Sequence, residues 1–305
     1  MRRNIFTIIT VLFMLIGIGI TVYPLVSNLL YEKRQEQLVE YYQERSKDIP
    51  EEEKDQAWQD CWDYNDSLRE TGFILTDPFD EEQMDPAAEP YASLLNKEKD
   101  GVMGSIEIPC IDVKLLIYHG TEEEVLQKGV GHLQGTSLPV GGKGSHSVLS
   151  AHSGLPDKLM FTNLDQLQNG DVFYIDVLGE VLAYEVDQIK KVLPNETDDL
   201  MINAEEDYVT LVTCTPYGVN THRLLVRGTR IPYEEAKKIE NEETEKTGQA
   251  WRREYTHAGI IAGILFVVIF TVYYILKRRN KGSAGKRKRE RVKIYQKKKM
   301  NSRKH

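Results

Sequence analysis

The chain has 305 residues and a formal net charge of -8, but the charge is unevenly distributed. Fifteen Lys and Arg residues with a single Glu follow residue 276, and two Arg residues lie within the first four positions. The rest of the chain carries 22 basic and 46 acidic residues, a net charge of -24. Such an acidic segment repels a nucleic-acid backbone, so we expect no nucleic-acid partner. Three cysteines without a CxxC pair disfavour both a disulfide-stapled mini-domain and a structural zinc site.

Two uncharged apolar runs, Ile5–Tyr31 and Ala258–Leu276, are long enough to cross a bilayer as helices. The first could instead be a cleaved signal peptide, but no A-x-A-like cleavage site follows it, which favours a retained anchor. The second run is followed at once by Lys277-Arg278-Arg279, a pattern that stays in the cytoplasm. We therefore expect both termini to be cytoplasmic and the segment between the runs to lie outside the cell. The basic tail would then touch anionic lipid head groups.

The composition divides the chain into seven regions. Residues 32–75 are polar with apolar residues at helical spacing, which predicts two short amphipathic helices broken near Ile49-Pro50. Residues 76–90 contain too few apolar side chains for an element and are predicted to form a long loop. Around them we place a membrane segment at 1–31, a β-domain at 91–232, a charged linker at 233–257, a second membrane helix at 258–276 and a basic cytoplasmic tail at 277–305.

The segment after Gly101 has the composition typical of β-strands, with short runs rich in Val, Ile, Leu and Tyr. Eight runs in about 130 residues predict a closed or nearly closed barrel with short helical insertions at Glu122–Gln127 and Asn163–Leu167. The predicted strands are Val102–Ile108, Ile111–Tyr118, Ser147–Ala151, Val172–Val177, Val181–Val186, Ile189–Leu193, Tyr208–Thr213 and Arg223–Thr229. The glycine-rich stretch at 141–145 lacks the phosphate-loop spacing and is predicted to be a turn.

Cys214 follows one predicted strand directly, and Arg223 opens the next. If the two strands pair as a hairpin, the thiol and the guanidinium lie on the same rim of the barrel. Most free cysteines are small buried apolar residues, and this remains the alternative for Cys214. Its place at the mouth of a strand, before Pro216-Tyr217-Gly218, favours a chemical role.

A nucleophilic cysteine needs a proton-exchanging partner, because the thiolate attacks and the departing amine must receive a proton. His152 follows the predicted strand Ser147–Ala151 at a position where function is commonly found. His222 is an alternative, but as the strand neighbour of Arg223 it should face the opposite side. The remaining histidines are expected to be surface or packing residues or lie near the chain end.

Three motifs together resemble the sortase family of cysteine transpeptidases. They are Thr210-Leu211-Val212-Thr213-Cys214, close to the family's TLxTC box, Arg223 nine positions later, and Ser150-Ala151-His152 sixty-two residues before the cysteine. The resemblance runs from about Tyr91 to Ile231. It implies a mainly β fold, an eight-stranded sortase-type barrel, with Cys214, His152 and Arg223 as catalytic residues. Thr213 and Ser150 are the corresponding candidates for contacts with substrate.

Within the family, the chain resembles class C, the pilus-assembling sortases. Asp77-Pro78-Phe79 matches the D-P-aromatic motif of the class C lid, and a second membrane span also fits that class. The resemblance implies an enzyme that cleaves an LPxTG-like sorting signal between Thr and Gly through a thioacyl intermediate. A lysine of a pilin subunit would then resolve that intermediate as an isopeptide bond.

The implied partners are pilin subunits and the lipid bilayer of a Gram-positive-type cell membrane, with the catalytic domain extracellular. No metal or organic cofactor is expected. Two alternatives remain open at this stage: a sortase that anchors proteins to peptidoglycan, and a non-catalytic extracellular scaffold or adhesion module.

Overall fold

The computed structural model describes residues 2–71, 75–80 and 90–242. The predicted second membrane helix, the basic tail and most of the predicted linker and lid loop therefore lie outside the described residues. Among the described residues, no helix combines the length and the apolar character that a membrane span requires.

Two helices precede the barrel: α1, Arg2–Lys47, and α2, Glu51–Thr71. The prediction of a break near Ile49-Pro50 is confirmed, but that of two short helices is wrong, because α1 is a single helix of 46 residues. Its sequence changes from apolar to polar near residue 31, and this change does not interrupt the backbone hydrogen bonding of a helix. The polar half of α1 contacts the barrel, where Gln35 Nε2 donates to the Lys128 carbonyl at 2.9 Å.

Helix α2 is joined to the barrel by a buried side chain. Asn65 Oδ1 accepts a hydrogen bond from the Leu138 backbone N–H at 2.7 Å, and Asn65 Nδ2 donates to the Leu138 carbonyl at 3.3 Å. Trp58 and Cys61 on the same helix pack into the main hydrophobic core. The helix is thus an integral layer of the domain.

Eight strands form a closed barrel, as the sequence predicts. In the structure their order is β1-β2-β3-β4-β7-β8-β6-β5. The pairs are antiparallel except for β2 with β3 and β4 with β7, which are parallel. The strands are β1 Val102–Ile108, β2 Val113–His119, β3 Val130–His132, β4 Ser145–Ser150, β5 Val172–Val177, β6 Glu180–Val192, β7 Asp207–Thr215 and β8 His222–Ile231.

The strand count agrees with the prediction, but two assignments differ. The runs Val181–Val186 and Ile189–Leu193 form one strand, β6, which continues through a bulge between Val186 and Gln188. The strand β3 is missing from the prediction because its three residues are too short to give a pattern. The predicted helical insertions are present as α3, Glu123–Leu126, and as a 3-10 turn at Leu164–Gln166.

Side chains alternate between the interior and the exterior of the barrel along β4, β7 and β8. Leu149, Leu211 and Leu224 belong to the main core inside the barrel. Their neighbours point outward and form a second, smaller apolar cluster, to which Leu75 and Phe79 also belong. Its buried members are Leu133, Val148, Leu200, Val212 and Leu225. The segment 75–80 therefore covers an apolar patch on the outside of the barrel.

The first part of the predicted charged linker is helical. Residues 233–242 form a helix, α4. Its Ala236 is buried against Val172, Tyr174 and Ala183 of β5 and β6. The described domain therefore extends beyond the last strand.

Candidate active site

Cys214 and Arg223 are direct partners across the antiparallel pair β7 and β8. Residues directly opposite one another point to the same face of a sheet, so the thiol and the guanidinium lie side by side. The face is the outer one, because Cys214 is two residues from Val212 and Arg223 is two residues from Leu225. The hairpin geometry expected from the sequence is thus present.

His152 joins these residues through the parallel pairing of β4 with β7. Ser150 is the partner of Val212, and the Ala151 N–H continues the ladder by donating to the Val212 carbonyl at 3.2 Å. Two residues beyond that pair, His152 and Cys214 follow at the same end of neighbouring strands and on the same face. The structure therefore brings together all three residues that the sequence singles out.

The loop after His152 is held by hydrogen bonds to its surroundings. Ser153 Oγ donates to the Cys214 carbonyl at 2.6 Å, and the Phe161 N–H donates to the His152 carbonyl at 3.1 Å. Both bonds fix the backbone on either side of the imidazole relative to β7. Ser153 belongs to no recognised motif, so no sequence pattern selects it.

The His152 ring has two neighbours of different character. Its Nε2 lies 3.1 Å from Glu123 Oε2, and its ring centroid lies 6.1 Å from that of Phe79, at an interplanar angle of 42°. Glu123 belongs to α3 and its side chain is 48% exposed. The carboxylate therefore holds the imidazole through one of its ring nitrogens. The sequence did not identify Glu123, because it is one of three consecutive glutamates at the start of a short predicted helical insertion.

Asp77 holds Arg223 through a bidentate ion pair. Arg223 Nε donates to Asp77 Oδ1 at 2.8 Å and Arg223 Nη2 donates to Oδ2 at 2.5 Å. The side chains are only 10% and 11% exposed, so solvent screens the pair weakly. Burial acts to lower the pKa of Arg223, but the hydrogen bonds and the charge of Asp77 outweigh it and the pKa is raised.

Phe79 completes the cover over the site. The guanidinium carbon of Arg223 lies 5.1 Å from the Phe79 ring centroid, a cation–π distance. Between the two lid residues, Pro78 is buried and limits the backbone freedom of Asp77. The segment Asp77-Pro78-Phe79 thus contacts both His152 and Arg223. We call residues 75–80 the lid segment.

The pKa of the Cys214 thiol is raised, chiefly because burial disfavours the thiolate. The positive charge of Arg223 acts in the opposite direction, and the negative charge of Asp77 raises the pKa further. Asp77 therefore acts twice: it raises the pKa directly and it pairs with the cation that lowers it. With the lid segment in this position, the thiol is held in its protonated, unreactive form.

The two predicted substrate contacts have different surroundings. Thr213 is inward-facing and buried, and its hydroxyl donates to the Ala151 carbonyl at 2.7 Å, which joins β7 to the segment before His152. Its contact with substrate stays a prediction. Ser150 lies on the outer face next to Val148 and Val212. Its Oγ is buried and has no hydrogen-bond partner among the described residues. Ser150 stays a predicted substrate contact.

Four other histidines lie among the described residues: His119, His132 and His146 are buried packing residues, and His222 begins β8 next to Arg223. His132 and His146 are buried, and burial lowers the pKa of each to about 4, so both are neutral. His222 is exposed and its Nδ1 contacts the Thr221 hydroxyl at 2.9 Å. Of the two other cysteines, Cys61 is buried and Cys110 is exposed on the turn after β1.

Comparisons with known proteins agree with this geometry. The sortase domain family matches residues 106–231. Sortase C-1 of Streptococcus pneumoniae has 48% sequence identity and a TM-score of 0.61, over 65% of this chain and 99% of that structure. The pilus-related sortase C of Group B Streptococcus has 47% identity and a TM-score of 0.59, over 63% and 96%.

A more distant relative is the sortase A of Listeria monocytogenes, which is 31% identical over 134 residues. That match spans 44% of this chain and 58% of the relative's length. The similarity to the class C structures is higher in identity and includes nearly the whole of each. The barrel, the three rim residues and these similarities together assign the chain to the sortase family, in its class C.

Proposed function

We propose that this protein is a cysteine transpeptidase that cleaves an LPxTG-like sorting signal between Thr and Gly and transfers the acyl group to an amine. The observation that carries the proposal is the cross-strand pair of Cys214 with Arg223, beside His152 on the neighbouring strand. A thiol, a proton donor and a fixed cation on one face are the groups that acyl transfer requires.

In the first step, the Cys214 thiolate attacks the carbonyl carbon of the signal's Thr. The tetrahedral intermediate collapses by breaking the C–N bond, and His152 in its protonated form gives its proton to the leaving Gly amine. A thioester with Cys214 remains. In the second step, the acceptor amine attacks this thioester, His152 takes the amine proton, and Cys214 leaves as the thiolate.

Arg223 would stabilise the oxyanion or hold the sorting peptide through its planar fork, which stays charged throughout. In the described structure, both Asp77 oxygens accept hydrogen bonds from this fork. Substrate must therefore displace Asp77 before it can use the same donors. The lid segment is accordingly proposed to be inhibitory, and the covered fraction of the enzyme lowers its apparent affinity for substrate.

Ser150 would become a substrate contact when the lid segment moves. Its Oγ lies in the outer-face patch formed by Val148 and Val212, close to the cysteine end of β7. A buried hydroxyl without a partner carries a desolvation cost that a peptide carbonyl or hydroxyl can relieve. The apolar neighbours would accept the aliphatic side chains of the signal.

We propose a pilin lysine as the acceptor amine, so that the product is an isopeptide bond between pilin subunits. The support is the similarity to a sortase C that is described as pilus-related, at 47% identity. The alternative acceptor is an amine of the peptidoglycan cross-bridge, which would use the same rim residues. The two differ only in the nucleophile of the second step.

We also propose that the protein is anchored in a Gram-positive-type cell membrane, with the barrel outside and both termini inside. The support is the sequence: the two apolar runs Ile5–Tyr31 and Ala258–Leu276, each with basic residues on its proposed inner side. Protease treatment of intact cells should digest the barrel and leave a tag at the C-terminus intact. Loss of that tag in intact cells would contradict this topology.

The test of the transpeptidase activity uses the full-length protein with a fluorogenic sorting peptide and, separately, a purified pilin-type acceptor. We expect peptide cleavage, a thioester adduct on Cys214 detectable by mass spectrometry, and joined product when the acceptor is present. Cys214→Ala should abolish all three while circular dichroism stays unchanged, and His152→Ala should lower the cleavage rate by several orders of magnitude. Cys110→Ala is the matched control and should retain activity.

A scaffold or adhesion module would give neither cleavage nor adduct. Cleavage that persists in Cys214→Ala would contradict the assignment of the nucleophile. Joining to a peptidoglycan cross-bridge peptide in preference to a pilin lysine would favour the alternative function.

A further inference from the structure

A cleft of about 640 Å³ lies between α2 and the far end of the barrel. Asp55, Trp58, Gln59 and Trp62 of α2 line one side. The other side consists of residues from the strand ends and the glycine turn before β4: Val140, Gly142, Glu180, Leu182, Asp207 and Arg230. This volume lies within the range of small-molecule sites. Asp207 begins β7, seven residues before Cys214, so the cleft is roughly 20 Å from the catalytic rim.

Two tryptophans form the aromatic side of this cleft. The ring centroids of Trp58 and Trp62 are 5.8 Å apart, with an interplanar angle of 46°. Trp58 is 6% exposed and belongs to the core, whereas Trp62 is 44% exposed. An aromatic ring left this open beside a cavity offers an apolar face for a ligand to cover.

Trp58 also brings an unused hydrogen-bond donor. Its Nε1 is buried and has no acceptor among the described residues. Buried indole N–H groups are usually hydrogen-bonded, because leaving one unpaired costs desolvation energy. Because this atom is shielded from solvent, a ligand reaches it only when the indole ring tilts toward the cleft, and such a ligand must carry an acceptor atom.

The polar residues of the cleft include both charges. Asp55 and Glu180 provide carboxylate acceptors, and Arg230 provides donors, with its guanidinium carbon 5.5 Å from the Tyr184 ring centroid. The Asp207 carboxylate is already used within the protein, since it accepts hydrogen bonds from Tyr184 Oη at 3.1 Å and the Gly142 N–H at 2.8 Å. Arg230 already hydrogen-bonds Tyr184, but its guanidinium has further N–H groups, so the cleft offers donors and acceptors side by side.

These groups discriminate between classes of ligand. A small organic cation could stack on Trp62 and pair with the carboxylates, but it has no acceptor for Trp58 Nε1 and would be repelled by Arg230. An anion could pair with Arg230, but three carboxylates line the same cleft. A neutral polyhydroxylated ring meets every requirement, because each hydroxyl both donates and accepts and the ring's C–H face covers an indole.

The glycine turn keeps the cleft open on its second side. Gly141 has φ +65° and Gly142 has φ +108°, values that residues with a side chain rarely adopt. A Cβ at Gly141 would lie 2.9 Å from both Arg230 Nη1 and Asp207 Oδ2. The backbone therefore approaches these side chains as closely as glycine allows, and no side chain enters the cleft from this turn.

We propose that this cleft is a saccharide-binding site, with Trp62 as the stacking platform and Trp58 Nε1 and Arg230 as donors to the ring hydroxyls. The site is separate from the catalytic rim and does not depend on the proposed transpeptidase function. It would hold the enzyme against a glycan while the rim acts on a peptide.

The test uses isothermal titration calorimetry on the full-length protein in an oligo(oxyethylene) detergent, because a glucoside detergent would itself compete. Chitotriose is the saccharide probe, and tetramethylammonium chloride and sodium sulfate are the probes for a cation and an anion. We expect chitotriose to bind with millimolar or tighter affinity and the two ions not to bind. Binding should also change the tryptophan fluorescence.

Two variants on α2 test the named groups. Trp62→Ala should weaken chitotriose binding at least about tenfold, and Trp58→Phe, which keeps a ring but removes Nε1, about fivefold. Tyr41→Ala removes an exposed aromatic ring of α1 as the matched control and should leave binding unchanged. Trp62→Ala should also leave the rate of sorting-peptide cleavage unchanged, which separates this site from the rim.

Three results would overturn the proposal. The first is the absence of chitotriose binding at about 10 mM, the weakest affinity that the proposal allows. The second is chitotriose binding that Trp62→Ala does not weaken. The third is binding of the cation or the anion in place of the saccharide. If Trp58→Phe fails to fold, the Trp62→Ala comparison decides alone, because Trp62 is half exposed and its removal leaves the core intact.

Discussion

At the scale of single residues, the two strands that carry Cys214 and Arg223 explain why a short motif predicted the site. The partners on an antiparallel pair are set by register, and the eight-residue connection from the cysteine to the arginine fixes which residues face each other. His152 was selected because it follows a predicted strand directly, and the structure places it near Cys214 because that strand, β4, runs parallel to β7. Glu123 and Ser153 could not be predicted, since their contacts with His152 and Cys214 depend on how α3 and the loop after β4 pack on the rim, which the sequence pattern does not define.

Glu123→Gln tests whether the carboxylate supports His152. The amide keeps the shape and an acceptor oxygen but removes the negative charge that lies 3.1 Å from His152 Nε2. We expect kcat for sorting-peptide cleavage to fall by about threefold to tenfold with little change in KM, a modest effect because the pair is partly exposed. Glu124→Gln, at the exposed neighbouring position, is the control. Equal kcat values for the two variants would mean that Glu123 does not assist His152.

Arg223→Lys tests directional hydrogen bonding against charge alone. Lysine keeps the positive charge but cannot reproduce the planar fork that pairs with Asp77 and is proposed to hold substrate. We expect kcat/KM for peptide cleavage to fall by about a hundredfold or more, comparable to the loss of an oxyanion donor. The comparison is made with the lid segment disabled by Asp77→Ala and Phe79→Ala, so that a change in the lid does not mask the effect. Near-normal kcat/KM in that background would show that charge alone suffices.

At the scale of elements, the sequence predicted those features that repeat or are long. The longer strands were found because each contains a run of five or more residues rich in Val, Ile, Leu and Tyr, and the barrel was inferred from the number of such runs. The strand β6 was divided in the prediction at Asp187-Gln188, two polar residues in an apolar run. In the structure a bulge occurs there and Asp187 pairs with Arg227 of β8, Oδ2 to Nη2 at 2.7 Å, so the polar residues strengthen the strand pairing.

The lid segment shows the limit of sequence reasoning at this scale. Its motif predicted contacts with the rim, and the structure gives Asp77 to Arg223 and Phe79 to His152. The composition of residues 76–90 is equally compatible with a solvated acidic loop, because it contains no information about the apolar patch on the outside of the barrel. The patch is visible only after the strands are paired, when Val148, Val212 and Leu225 come together.

Removal of the two lid contacts should expose the thiol and lower its pKa. In Asp77→Ala with Phe79→Ala, Cys214 loses part of its burial and the negative charge beside it, while Arg223 is released from its ion pair. We expect faster alkylation of Cys214 at neutral pH and a rate–pH profile displaced to lower pH. The measurement is the alkylation rate by a small thiol reagent as a function of pH, followed by mass spectrometry. An unchanged profile would show that the lid segment does not gate the thiol.

The direction of the pH effect in the wild-type protein follows from the same linkage. We expect the thiol pKa to be higher in the covered state, because burial and the charge of Asp77 raise it there, so that this state binds the proton more tightly than the uncovered state does. The free-energy advantage of the covered state over the uncovered state is fully present at low pH. It is lost as the pH rises through the pKa of the covered thiol. Raising the pH should therefore uncover the site in the wild-type protein, and this dependence should vanish in Cys214→Ala.

At the scale of the whole molecule, helix α2 links the catalytic barrel to the proposed saccharide cleft. The helix packs Trp58 and Cys61 into the core and bridges Leu138 through Asn65, so its position is set by the barrel. The burial of Cys61 raises the pKa of its thiol to about 12, which keeps it protonated and unreactive. One face of α2 thus belongs to the core, while Trp62 at its edge remains available to solvent.

Asn65→Ala tests how strongly α2 is joined to the barrel. The change removes both partners of the Leu138 backbone, leaving a buried N–H and a buried carbonyl without the amide that pairs with them. Because each unsatisfied buried group costs about 1–3 kcal/mol, we expect the free energy of unfolding to fall by about 2–4 kcal/mol. Gln56→Ala is the matched control on the exposed face of α2 and should change it by less than about 0.5 kcal/mol. The measurement is chemical denaturation followed by tryptophan fluorescence, and equal midpoints for the two variants would show that the Asn65 bridge does not stabilise the contact between α2 and the barrel.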